Sequence, residues 1–230
     1  MFDVDVPIHG VVNIFGIDLW ITNTMVTSWV ISGILLLFAI VVRIKLKNFK
    51  DKPTGFQNVV EMMVGAFDNF MQSSGTPKVQ WLGGWFFTLF AFLIISNIFG
   101  ILPAQRPPTA DWPLPFALAL TSFFFIQFAG FRYNGYKYFK GTYLSPHWLF
   151  LPINILGEFS RPISLSFRLF GNILGGLILV SLLYGLAPVF VRFAVPVPLH
   201  LIFDLAFGAL QAFIFTILSL TFVGLAAAES

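Results

Sequence analysis

Long apolar runs broken by short polar stretches dominate this chain, and their lengths set the elements it should form. Thr24–Val42, Trp81–Leu102 and Leu114–Phe131 contain no charged residue. Each reaches the ~18 to 20 residues that a helix needs to cross a hydrocarbon core about 30 Å thick. Between the first two lies a stretch of another kind. From Pro53 to about residue 75, Gln57, Asn58, Glu61, Asp68, Asn69 and Gln72 share an arc of about 120° at 100° per residue, with Val59, Val60, Met63, Phe67, Phe70 and Met71 on the other side. Thr54 and Gln57 have the spacing of a capping box. The pattern predicts an amphipathic helix lying on a membrane face. Its charges are acidic where a lipid-seeking helix carries Lys or Arg, so it reads as a docked helix without chemistry.

Beyond Leu144 the pattern changes, because charge now enters segments otherwise apolar enough for a bilayer. Glu158, Arg161 and Arg168 stand between the apolar runs Leu149–Leu156 and Leu177–Ala187. Each ion at mid-membrane costs about 2.5–3.5 kcal/mol even on lenient insertion scales. A helix from Pro162 to about Leu186 would be roughly 37 Å long, and one over Leu199–Ala226 roughly 42 Å. Both should tilt strongly or lie partly along the membrane. The expected fold is an all-α polytopic membrane protein, a single membrane domain over residues 1–230. It has about five membrane helices, the last two long and strongly tilted, plus one amphipathic surface helix. Residues 1–23 form an outer N-terminal segment, 53–75 the inner-surface helix and 144–228 the tilted hairpin that carries the polar residues.

Composition agrees with that class: 57% of the residues are apolar and 10% charged, where a soluble domain carries about a quarter charged. With no cysteine, disulfides and thiol chemistry are excluded. The net charge of +3 is small, and its placement speaks of topology, not of nucleic acid. Arg43, Lys45, Lys47, Lys50 and Lys52 follow the first run, and Arg132, Lys137 and Lys140 follow the third. By the positive-inside rule these ends face the cytoplasm, the N-terminus lies outside and the C-terminus inside. Asp3, Asp5 and Asp18 precede the first span with no Lys or Arg, so the start lacks the basic region of a signal peptide.

Helical phase says where the intramembrane ions point. Glu158, Arg161, Arg168 and Asn172 fall within an arc of about 80°, and Ser164, Gly171, Gly175 and Gly176 widen it to about 140°. Glycines on a charged face let a partner helix approach closely. On the last helix His200, Asp204, Gly208, Gln211 and Ser219 share one narrow face, so two polar stripes on adjacent helices outline an aqueous path. Glu158 and Arg161 read either as a structural ion pair or as parts of that path. Arg168 is different. Its helix has no later carboxylate, the next acidic residue being Asp204, and an unpaired intramembrane Arg is a functional site by default. Ser96, Asn97 and Gln127, near mid-span in the earlier helices, read as helix-to-helix hydrogen-bonding groups. His9 and His147 read as loop or interface residues. No metal-ligand spacing, P-loop, GxSxG or dinucleotide loop occurs, so neither a cofactor nor nucleotide chemistry is expected in this chain.

The run SRPISLSFRLFGNILGG, with PTADWPLPFALAL and LQAFIFTILSLTFVGLA, resembles subunit a of the F-type ATP synthases, the membrane stator beside the rotating ring of c subunits. The similarity extends from about Pro53 to the C-terminus. It implies a non-catalytic, ion-conducting subunit in which two proton half-channels meet the c-ring, with Arg168 as the essential arginine between them. It implies Asn172 and Gln211 on the same helix pair, Asp204 where the family varies among acidic residues and His, and Glu158 where relatives carry a carboxylate facing the proton path. With Arg161 and His200, these make up the expected proton path. Many relatives carry a Glu nine residues after the arginine, where this chain has Leu177, and the resemblance then implies that the polar group is supplied from Asp204 instead. The implied partners are the c-ring carboxylate, peripheral-stalk b subunits and the lipid bilayer, with no nucleic acid and no nucleotide. The implied location is a bacterial inner membrane, with an organellar or photosynthetic membrane as the alternative. Coupling to Na⁺ is the alternative within the family, since the ring's own binding site sets the ion. A secondary transporter is the rival outside it, although transporters often show internal repeats and none is visible here.

Overall fold

The computed structural model describes residues 8–14, 17–47, 55–74, 77–100, 107–145, 147–186 and 205–228. Among the described residues five segments are long and apolar enough to cross a membrane: Asn23–Leu46, Lys78–Gly100, Pro113–Asn134, Trp148–Leu183 and Leu205–Ala228. The all-α polytopic membrane class read from the sequence is the class observed. The α-helices are α1 (Asn23–Leu46), α2 (Phe56–Ser74), α3 (Gly83–Gly100), α4 (Pro113–Asn134), α5 (Tyr136–Leu144), α6 (Leu151–Leu186) and α7 (Gly208–Ala228).

Contacts at the helix ends fix the alternation of direction. Thr24, at the start of α1, donates to the Asp111 carboxylate just before α4. At the opposite end the Lys78 ammonium donates to the Ala227 carbonyl at 3.3 Å, and the Asn134 amide to the Ala226 carbonyl at 2.8 Å. Those carbonyls belong to the last turn of α7, which has no intrahelical donor for them, so the two side chains act as its cap. The chain therefore has a basic end, holding Arg43, Lys45, Lys137 and Lys140, and a loop end holding Asp111.

The core lies where α4 is flanked by α6 and α7, with α3 on the far side of α7. Phe86, Leu89 and Leu93 of α3, Ile126 and Ala129 of α4, Leu165 and Leu169 of α6 and Phe215, Leu220 and Val223 of α7 are buried together. Large apolar side chains such as Leu36, Leu37, Phe124 and Ile178 point outward, the arrangement expected where lipid is the solvent. Two glycines permit unusually close packing. A Cβ at Gly130 would stand 2.5 Å from the Tyr138 ring, and one at Gly208 would stand 2.7 Å from the Asn97 side chain.

Three details differ from the sequence expectation. The long helix does not begin at Pro162: α6 runs from Leu151 with Pro162 inside it, about 54 Å at 1.5 Å per residue. The apolar run before Glu158 continues the helix, and Pro152 sits in the first turn, where a missing N–H costs nothing. An interior proline removes a donor, and membrane helices tolerate this where side chains serve the backbone nearby. Here Ser160 Oγ donates to the Gly157 carbonyl at 2.7 Å and Ser166 Oγ to that of Ile163 at 2.8 Å. Second, the residues before α1 form an antiparallel hairpin, β1 (Ile8–Ile14) with β2 (Ile17–Thr22), pairing Val11 with Trp20 and Val12 with Leu19. The hairpin runs straight into α1, whose first turn is capped by Thr22, its oxygen accepting from the Met25 amide at 3.4 Å. Third, Gln57, counted with the polar arc of α2, is buried and donates to Glu61 at 2.7 Å, while Val60, Phe67 and Met71 face inward.

Candidate functional site

Helix α6 carries two polar clusters with one exposed cation between them. At the basic end Glu158 is 4% exposed, in a turn where solvent cannot compensate a bare carboxylate. Arg161, one turn later, meets it at 3.0 Å. The Arg161 guanidinium also lies over the Phe222 ring of α7, 5.1 Å from its centroid, within cation–π range. From α4 the Gln127 amide donates to Glu158 Oε2 at 3.2 Å, and the Gln127 oxygen accepts from the Tyr143 hydroxyl at 2.9 Å. Asn154, one turn before Glu158, donates to the carbonyls of Tyr143 and Ser145, 3.0 Å each, and fixes the end of α5 against α6. The carboxylate is felt by the phenols of α5. Burial, and then the charge of Glu158, push the Tyr138 phenol up to about 12, and the same two causes raise Tyr143.

Ten residues further, about 15 Å along the axis, Arg168 is exposed, with no hydrogen-bond or ion-pair partner among the described residues. Its neighbours on the wheel are open too. Ser164, Gly171 and Gly175 are exposed, and a Cβ at either glycine would meet nothing within 4 Å. The stripe drawn from the sequence thus divides: Glu158 and Gly176 turn into the bundle while Arg168 turns away from it. The buried side of α6 is set by Pro162, Leu165, Ser166 and Leu169, which hold the helix by its apolar face and leave the guanidinium outside.

About 6 Å beyond Arg168, Asn172 donates to Gln211 Oε1 of α7 at 2.8 Å. Gln211 is 1% exposed, and its own Nε2 has no partner among the described residues. One turn before Gln211 on α7, Asn97 packs against Gly208. Asn97 Nδ2, Ser96 Oγ and, in the loop before α4, Thr109 Oγ1 are likewise buried without a partner. Lower on α7, Ser219 Oγ donates to Ser122 Oγ at 3.3 Å.

Of the residues picked from the sequence, Glu158 and Arg161 come together, and Asn172 and Gln211 come together. Arg168 stands between the pairs. Asp204 and His200 lie outside the described residues. Gln127, expected as a helix-to-helix hydrogen-bonding group, is one, and its partner across the helices is the buried Glu158 carboxylate. Asn97, expected in the same role, packs against Gly208 of α7, and its Nδ2 has no partner among the described residues. Tyr143 carried no signal at all, being one aromatic among many in a short helix between two spans. Among the described residues no group of three His, Asp or Glu could hold a metal ion.

Comparison with known proteins agrees along nearly the whole chain. Residues 25–224 match the family described as ATP synthase A chain. The chain is 36% identical over 210 residues to ATP synthase subunit a 2 of Bradyrhizobium sp. strain BTAi1, covering 90% of this chain and 89% of that one. It is 36% identical to the protein of Propionigenium modestum described as ATP synthase subunit a, sodium ion specific, covering 88% and 73%. With ATP synthase subunit a of Geobacter sulfurreducens it shares 32% identity, covering 85% and 83%. This chain is an integral membrane protein of the ATP synthase A chain family.

Proposed function

We propose that the chain is the non-catalytic, ion-conducting stator subunit of a rotary ATP synthase, with Arg168 as a fixed cation between two half-channels that open onto a ring of c subunits. One observation carries the reading: an exposed guanidinium without a partner among the described residues stands on an open, glycine-bearing helix face, with a polar cluster on either side of it along the same helix. The basic-end half-path runs by Glu158, Arg161 and Gln127. The loop-end half-path runs by Asn172, Gln211, Asn97 and Ser96, and continues to Asp204 and His200. Buried donors without partners among the described residues, as at Asn97 and Gln211, belong on a hydrated route.

The mechanism follows from two opposed effects of similar size. Arg168 keeps its proton under all working conditions, so it relays nothing and acts as a charge. A ring carboxylate dragged through lipid is desolvated and holds its proton, its pKa raised by up to ~3–5 units. Within ~4 Å of a guanidinium at an effective dielectric near 20 it gains about 4 kcal/mol, or roughly 3 units the other way. The carboxylate releases its proton to one half-path as it nears Arg168 and takes one from the other before re-entering lipid. The open face at Gly171 and Gly175 gives the ring helix room to come this close. Each charge crossing 100 mV supplies about 2.3 kcal/mol to bias the step. Peripheral-stalk b subunits hold the chain against the ring's torque, and nucleotide chemistry takes place on other subunits.

Na⁺ is the second reading, favoured by the likeness to the Propionigenium protein. ATP-driven quenching of a pH-sensitive dye in inverted vesicles decides between them. Quenching unaffected by Na⁺ is the expected result, and quenching abolished by Na⁺ marks a sodium-coupled subunit. No quenching and no Na⁺ uptake in an assembled complex overturns the function itself.

We assign the basic end to the cytoplasm of a bacterial inner membrane, since both basic clusters lie there. The chain has no cysteine, so single cysteines report sidedness without background. Thr109 is fully buried and unsuited to the purpose, whereas Ala110 is half-buried and Lys140 exposed. Lys140→Cys should react with an impermeant maleimide only from the cytoplasmic side and Ala110→Cys only from outside. The reverse pattern inverts the topology.

A further inference from the structure

The mechanism uses Glu158 but leaves unexplained why α4 and α5 send a glutamine and a tyrosine to it. Glu158 is buried, and its oxygens receive Arg161 from its own helix and Gln127 from α4. An amide has two faces. Its NH₂ favours a carboxylate, and its oxygen favours a carboxylic acid, which can donate. Gln127 presents its NH₂ to Glu158, and at its other end the Tyr143 hydroxyl donates to Gln127 Oε1 at 2.9 Å and holds the amide in place. In that orientation the amide offers donors to Glu158. Asn154 holds the carbonyls of Tyr143 and Ser145, which seats Tyr143 on α6 instead of leaving it to the membrane surface. The groups facing Glu158 include Arg161 on α6, Gln127 on α4, and Tyr143 and Tyr138 on α5. Arg161 and Gln127 both favour its charged form.

We infer that Gln127 and Tyr143 are positioning residues of the basic-end half-path: Tyr143 locks the Gln127 amide, and the locked amide sets the pH range over which Glu158 accepts and passes protons. This rests on the reading of Glu158 as a member of that path. The lock has a direction. Losing the Gln127 donor, or freeing the amide to turn its oxygen inward, makes Glu158 keep its proton to higher pH.

The experiment compares ATP-driven pumping against cytoplasmic-side pH in complexes carrying Gln127→Leu, Tyr143→Phe, the two together, and Glu158→Gln, with subunit abundance measured alongside. Gln127→Leu should move the acid limb of the profile upward by about one pH unit, the scale of one hydrogen bond to a charged group. Tyr143→Phe should move it in the same direction by less. Because Tyr143 acts through Gln127, the double variant should match Gln127→Leu alone and not the sum. Profiles that fall in amplitude without moving, or shifts that add, overturn the inference and leave the pair a structural contact. If Gln127→Leu does not assemble, Tyr143→Phe, which removes a single oxygen, decides by the same criterion. Glu158→Gln separates the two levels. If it pumps normally, the reading of Glu158 is wrong; if it pumps poorly while the other variants leave the profile in place, only the lock is wrong.

Discussion

Replacing Arg168 by lysine should abolish ATP-driven pumping in an assembled complex nearly as fully as replacing it by alanine. The two residues carry the same formal charge, so the prediction turns on how they hold it. Guanidinium remains protonated when desolvated, whereas an ammonium brought against lipid and a ring helix sheds its proton and stops being a cation. Arg168 is exposed and contacts no acidic residue among those described, so neither substitution removes an internal partner. Subunit abundance should stay near that of the wild type while pumping is lost. Normal pumping by either variant would remove Arg168 from the mechanism. Loss of pumping together with loss of the subunit would point to an ordinary structural arginine.

Gly208→Ala should cost the fold about 1–3 kcal/mol, the usual penalty for overfilling a packed core, and lower the amount of assembled subunit. The added Cβ would stand 2.7 Å from Asn97 Cγ and 2.9 Å from its Cβ and Nδ2. Asn97 is 4% exposed and short, and its own Cβ is among the clashing atoms, so rotation of the amide does not relieve the contact. The helices α3 and α7 have to part. Asn97→Ala removes two of the three clashing atoms and leaves its Cβ, so the double variant Asn97→Ala/Gly208→Ala should recover part of the lost abundance, a non-additivity between touching residues. Pumping by the double variant should remain slow, because the buried amide on the loop-end path is gone. Recovery of abundance with full pumping would exclude Asn97 from that path, and an undiminished Gly208→Ala would deny the close approach of the two helices.

Much of this was legible in the amino-acid order, and for physical reasons. Lipid demands that every spanning segment satisfy its own backbone, so length and apolarity alone located the first three spans to within a few residues and announced the last two, whose starts they did not fix. The isolation of Arg168 was legible for a related reason, since an ion in a span without a carboxylate in helical reach is conspicuous in one dimension. What stayed hidden was pairing across distance. Gln127 and Glu158 are 31 residues apart, Asn172 and Gln211 are 39 apart, and helical phase orders a stripe on one helix without saying which part of it faces the bundle. Hence Glu158 and Arg168, placed on one arc, turn out to face different surroundings. Pro162 misled in the other direction. In water an interior proline ends a helix, but inside a membrane bundle nearby hydroxyls and packed neighbours keep it going. The N-terminal hairpin was missed because its apolar residues fit a strand or a buried turn equally well, and nothing about a short apolar run chooses between them.

The claim that Arg168 separates two half-paths is tested most directly by passive proton flow, without ATP and without rotation. Vesicles containing the assembled complex are given an imposed membrane potential, and internal pH is followed for wild type and Arg168→Ala at equal subunit content. The account predicts that the alanine variant leaks protons faster than the wild type, because the cation that repels a proton seeking the shortcut between the Glu158 and Asn172 sides has been removed. A variant that assembles fully, pumps nothing and leaks no more than the wild type would contradict it.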